Sequence, residues 1–216
     1  MGAGKLKSQE IILSIVAAEA KQDLFGVASV SNAPAIGKTV PFTGAFAGAI
    51  AVQGYTSPYF GVAGMKMLRE GTPAGEMLER VLADDPLRES RQILVVDAAG
   101  HKAAFTGEAL PQYAGSLEGE TYVVGGCGLS GEAVLSGCAG AFEEGQAALA
   151  DRLLAAVEAG VSAEGGGDSI VSAVLRISRD RPYPWLDLRV DRRSDPVGEI
   201  HRLLAQWREQ NAPAGA

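Results

Sequence analysis

Histidine and cysteine are nearly missing from this chain, which has two of each in 216 residues. Cys127 and Cys138 are too few for a disulfide framework or a four-ligand zinc site. Two free thiols suit a reducing compartment, so a cytoplasmic location is expected. His101 and His201 are too few for a histidine-rich metal site, and they make a Ser-His-Asp triad hard to assemble. We therefore expect no metal and no cofactor. Basic charge is also short, with 19 Lys and Arg against 26 Asp and Glu and a net charge of −7. No stripe of Lys and Arg is present to neutralise phosphates, which argues against a nucleic-acid partner. Long apolar runs are lacking too, and nothing approaches the roughly 18 residues that a membrane span requires. Lys5 and Lys7 ahead of the apolar run 11–18, with Ala18-Glu19-Ala20 behind it, imitate a secretory signal. Ser14 interrupts that run, and a buried strand explains the same residues better.

What the chain does have is 28 glycines and a hydrophobic fraction of 47%. The length fits one domain, at roughly 100–200 residues each. We expect a leader over residues 1–10, a single domain over 11–210 and a loose tail over 211–216. β-Branched apolar runs predict a strand at 11–18 and a second at 25–30, joined as a hairpin. An exposed loop at 31–39 follows, then strands at 40–46 and 48–53. Ser57-Pro58 and Thr72-Pro73 each open a helix. Residues 91–97 and 101–106 form a second hairpin around Ala98-Ala99-Gly100. A strand at 120–125 leads into a glycine-rich loop at 125–131, followed by helices at 132–142 and 146–159. Strands at 169–178 and 185–190 precede a last helix at 196–208, capped by Asp195. Hairpin-linked strands alternating with helix pairs do not suit a parallel sheet. They predict an α+β fold, a four-layer α-β-β-α sandwich of mainly antiparallel sheets.

Gly126-Cys127-Gly128-Leu129-Ser130-Gly131 matches G-x-G-x-x-G between a predicted strand and a predicted helix, as a nucleotide site requires. Asp151 lies at about the distance of a ribose contact, but within a helical stretch rather than at the end of a strand. Cys127, between glycines near a helix start, is a candidate nucleophile whose thiolate the helix dipole would favour. With so little histidine, a hydrolase here would more comfortably use a free N-terminal amine as the base for its own Ser, Thr or Cys side chain. Gln53, Arg91, Thr106 and Asp168 fall at predicted strand ends, where a sandwich opens into a cleft. They are the candidate substrate-binding residues, and Arg91 has the two-pronged donor geometry that clamps a carboxylate. Ala133, Gly137, Ala139 and Gly140 give a predicted helix a small-residue surface suited to a homodimer.

Several stretches, taken in order, resemble the prokaryotic domain-of-unknown-function family 1028. They include Leu13-Ser14-Ile15-Val16-Ala17, Ser57-Pro58-Tyr59-Phe60-Gly61, Asp84-Asp85-Pro86-Leu87-Arg88-Glu89 and Val95-Val96-Asp97-Ala98-Ala99-Gly100. Pro184-Trp185-Leu186-Asp187-Leu188-Arg189-Val190-Asp191 and Asp195-Pro196-Val197 complete the match. The resemblance implies the N-terminal-nucleophile (Ntn) hydrolase fold, the same four-layer sandwich, and with it hydrolysis of an amide bond in a small metabolite or peptide. Ile12 stands where members carry Thr, and Ile cannot be a nucleophile. Ser14 becomes one only if the residues before it are removed. Three readings stay open: an Ntn-type amide hydrolase acting through Ser14, an inactive relative that binds a small or peptide-like ligand or serves in assembly, and a nucleotide-binding protein.

Overall fold

A computed structural model describes residues 10–211; the expected leader and tail fall almost wholly outside them. The chain opens with an antiparallel hairpin of β1 (Ile12–Glu19) and β2 (Leu24–Ser31), turned by a short 3-10 segment at Ala20–Gln22. The second hairpin pairs β3 (Pro41–Gly44) with β4 (Gly48–Gly54). Helices α1 (Pro58–Arg69) and α2 (Ala74–Leu82) follow, then β5 (Arg91–Asp97) and β6 (Lys102–Thr106). Next come β7 (Tyr113–Glu118), β8 (Tyr122–Leu129), α3 (Glu132–Glu144) and α4 (Leu149–Ala163). The chain closes with β9 (Ser172–Ser178), β10 (Leu186–Val190) and α5 (Pro196–Asn211).

Two sheets result, and every strand pairing in both is antiparallel. One has six strands in the order β10-β9-β2-β1-β8-β7, and the other has four in the order β3-β4-β5-β6. Period-2 alternation explains why the sheets stack. Along β1, Leu13, Ile15 and Ala17 pack under α3, α4 and α5, while Ile12, Val16 and Ala18 face the other sheet. Along β4 and β5, Ile50, Val52, Ile93 and Val95 pack under α1 and α2, while Ala49, Ala51, Leu94 and Val96 face inward. Each strand thus carries two apolar faces, so both sheets bury both sides. Helices cover the two outer faces, which gives the expected four layers. Fully burying each large aliphatic side chain contributes about 1.5–3 kcal/mol. β1 lies inside the larger sheet between β2 and β8, and its inner face meets β4 and β5.

Four expectations need correction. Residues 125–129 are not a loop: β8 runs through Leu129, and Gly126 and Cys127 pair with Leu13 and Ile12. The glycines there serve close approach. A Cβ on Gly125 would sit 2.6 Å from Leu94 Cδ2 of the facing sheet, and Gly128 holds φ +72° at the irregular end of the strand. Second, residues 113–118 form an additional strand, β7, which no period-2 pattern marks because its residues are mixed in polarity and half-buried. Third, residues 31–39 are not an exposed loop. A 3-10 turn at Ile36–Lys38 tucks Ile36, 5% exposed, into the layer between the sheets. Fourth, β9 begins at Ser172, and Asp168 lies in a 3-10 turn before it. A Cβ on Gly137 would make ordinary contacts with Ala163 and Ala159 of α4, at 3.5 and 3.6 Å, whereas one on Gly160 of α4 would lie 2.4 Å from Leu13 Cδ2 of β1. The cap on α5 is as expected, with Asp195 Oδ1 accepting the Gly198 N–H at 2.9 Å.

Candidate functional site

Three of the candidate residues come together between the sheets, in a row of hydrogen bonds that crosses both. Ser14 faces inward from β1, opposite Ser29 of β2 on one side and Gly125 of β8 on the other. Its Oγ lies 2.8 Å from Ser29 Oγ and donates to Gln53 Oε1 at 2.6 Å. Gln53 Nε2 donates to Gln92 Oε1 and to the Gly125 carbonyl, the latter at 3.2 Å. Gln92 Nε2 in turn donates to Thr106 Oγ1 at 2.9 Å and to the Gly115 carbonyl at 2.8 Å. The two carbonyl acceptors orient both amides, because only an NH2 group can face a carbonyl oxygen. Both side-chain amides spend their two hydrogens, and Ser14, Ser29, Gln53 and Gln92 are all 0% exposed.

This row is therefore closed chemistry rather than the floor of a cleft. A hydroxyl becomes a nucleophile when a neighbour can take its proton. The partners of Ser14 are another hydroxyl and an amide oxygen, and neither acts as a base near neutral pH. Gln92 was absent from the candidates, although the pattern contained it: it alternates with Leu94 and Val96 on the inner face of β5.

The other candidates lie apart from this row. Arg91 immediately precedes Gln92, so it points to the opposite face of β5, toward α1. Its guanidinium does clamp a carboxylate, but an internal one. Nε and Nη2 both reach Asp85, the latter at 3.2 Å, and Nη1 donates to the Tyr55 carbonyl. The Phe60 ring lies 4.4 Å from its centre, and the paired side chains of Arg91 and Asp85 are 6% and 5% exposed. Burial by itself raises the pKa of Asp85. The hydrogen bonds from Arg91 and the Leu87 N–H, with the charges of Arg91 and Arg88, outweigh burial and hold it below the usual carboxylate value.

Cys127 faces the layer between the sheets at 2% exposure. Burial, assisted by the Glu10 charge, pushes its thiol up to about 12, so it is held neutral. Cys138 is buried against α4, and burial raises it as well. The side chain of Asp168 lies outside the described residues. Asp151, considered above for a ribose contact, receives both Nη groups of Arg208 at 2.9 and 2.7 Å and so ties α4 to α5. Together with the antiparallel sheet, this removes the structural context that the glycine motif needs to bind a nucleotide. Among the described residues, no group of three or more His, Cys, Asp or Glu is placed to hold a metal ion, and no helix is long and apolar enough to cross a membrane.

A second polar group, absent from the sequence candidates, lies in the open at the far end of β1. A depression of about 600 Å3 is lined there by Glu19, Lys21, Glu120, Tyr122, Glu143 and Arg152, among others. Arg152 Nε donates to the Phe142 carbonyl at 3.2 Å, and its Nη1 meets Glu19 Oε1 at 3.3 Å. Its guanidinium stacks 4.0 Å from the Phe142 ring centre. Tyr122 donates its hydroxyl to Glu143 Oε1 at 2.7 Å. Burial, and then the bond to Glu143, raise that phenol well above its usual value.

Fold and sites define an α+β protein of two antiparallel sheets with a sealed polar core. The chain belongs to the family of unknown function DUF1028, which it matches over residues 13–200. It is similar to the crystal structure of protein SPO2555 from Silicibacter pomeroyi, of the same family, at 29% sequence identity and a TM-score of 0.84. That similarity covers 92% of this chain and 89% of the other. No curated protein matches the chain.

Proposed function

We propose that this chain is a member of an Ntn-hydrolase-like fold that binds a small or peptide-like ligand in the cytoplasm without using Ser14 or Cys127 as a nucleophile. The observation that carries this reading is the state of Ser14, fully enclosed and hydrogen-bonded to Ser29 and Gln53, with no base to take its proton. The neutral Cys127 thiol supports it from the same layer. Gln53 and Thr106 act in this reading as the polar stitch between the sheets, and Arg91 as the anchor of Asp85. Two free, buried cysteines suit a reducing compartment.

The test is intact mass with N-terminal sequencing of the untagged protein, followed by treatment with a fluorophosphonate and with iodoacetamide. The expected result is a chain still carrying the residues before Ser14, unlabelled by either reagent until it is unfolded. A chain beginning at Ser14, or stoichiometric labelling of Ser14 or Cys127 in the native protein, would instead establish the amide-hydrolase reading.

A further inference from the structure

The depression at the C-terminal end of β1 combines features that the sealed row lacks: volume, solvent access and charges of both signs. On its lining three carboxylates, Glu19, Glu120 and Glu143, meet two cations, Lys21 and Arg152. Arg152 is held from behind, by the Phe142 carbonyl on Nε and by the Phe142 ring against its plane. Glu19 bonds Nη1, and the guanidinium retains donors to spare. A guanidinium fixed in this way presents a fork that matches a carboxylate. Glu143 differs in its setting. It stands in the last turn of α3, where the helix carbonyls are negative and no basic residue occupies the turn. Its partner is the Tyr122 hydroxyl, and among the described residues it makes no ion pair with a cation within 4.0 Å.

Building on the ligand-binding reading above, we propose that this depression binds a small zwitterion, an amino acid or short peptide. Arg152 receives the carboxylate, and Glu143 with Glu120 receives the ammonium. A purely anionic ligand would meet three carboxylates, and a purely cationic one would meet Arg152 and Lys21. A molecule with both charges suits the two ends of the depression together. The volume of about 600 Å3 is in the range of small-molecule sites, roughly 300–1,000 Å3.

The test is an amide NMR titration of the full chain with free amino acids and dipeptides, added singly, and then with N-acetylated and C-amidated forms of the tightest member. Expected are saturable shifts confined to residues 18–22, 100, 120–122 and 142–152, with each cap weakening binding roughly tenfold or more. Glu143→Gln and Arg152→Gln should each weaken it to a similar degree. Glu143 is exposed, so its variant keeps the test valid if Arg152→Gln folds poorly. The proposal is overturned if no member of the panel gives saturable shifts there, if capped and free forms bind equally, or if Glu143→Gln binds unchanged. A failure of this kind leaves Ser14 unreactive and the previous reading intact. Cleavage before Ser14 would sink the previous reading without touching this titration.

Discussion

Two polar regions hang on the same strand, five residues apart, and their fates are opposite. Ser14 sits where β1 passes between the sheets, and every hydrogen-bonding group around it is satisfied internally. Glu19 sits where β1 emerges, and its ion pair with Arg152 leaves both side chains about one-fifth exposed beside an open depression. Chemistry-bearing residue types occur in both places. What separates them is access. In the low-dielectric interior, a hydroxyl between an amide and another hydroxyl rigidifies the fold, and satisfying the network matters more than reactivity. At the rim, charges of both signs keep access to solvent.

The comparison sharpens under substitution. The largest loss should follow Arg91→Ala, which leaves the Asp85 carboxylate buried without its cation. Breaking a buried pair costs about 3–5 kcal/mol, to be read from urea unfolding midpoints. The same pair contributes to the acid limb of stability. Because the folded Asp85 lies below its ordinary value, its contribution is complete above roughly pH 4 and is lost as pH falls through the folded value. Asp85→Asn should remove that part of the acid dependence and lower stability at neutral pH.

Gln53→Leu comes next. It leaves Gln92 Oε1 in the core without its donor, at about 1–3 kcal/mol for an unsatisfied buried group. It also takes one partner from the Ser14 hydroxyl, which keeps Ser29, and one from the Gly125 carbonyl. A loss of about 3 kcal/mol in the same assay is expected. A change under about 0.5 kcal/mol would show that the row is not a structural stitch. The smallest effect on stability belongs to the rim. Glu143→Gln should shift unfolding by less than about 0.5 kcal/mol, because exposed sites tolerate change and a glutamine oxygen still accepts from Tyr122. A large loss there would mean that the depression is held together by Glu143 rather than left open by it.

Much of the architecture was legible in the chain before folding. Alternation in 11–18 and 91–97 determined two-faced strands, Ser57-Pro58 and Asp195 marked helix starts, and hairpin spacing excluded a parallel sheet. These signals are local, since period and capping are written in neighbouring residues. Gln53 and Thr106 were candidates as strand-end residues and Ser14 as a nucleophile, and the three converge because each faces inward in the folded sheets. The sequence could not say whether that face was a cleft or a seal. That depended on Gly125 admitting Leu94 and on Ile36 folding back over the edge, both contacts between distant segments.

Placing Cys127 in a glycine-rich loop failed for a related reason. Glycine near a strand end predicts a turn when read alone, and becomes strand once β1 lies alongside to pair with it. The charged depression had no sequence signature at all, because Glu19, Tyr122, Glu143 and Arg152 come from four elements. Composition and periodicity thus determined the layers and the scarcity of bases and metal ligands. The tertiary structure alone decided which polar groups were locked away and which were left facing water, because burial is set by contacts between segments far apart in the chain.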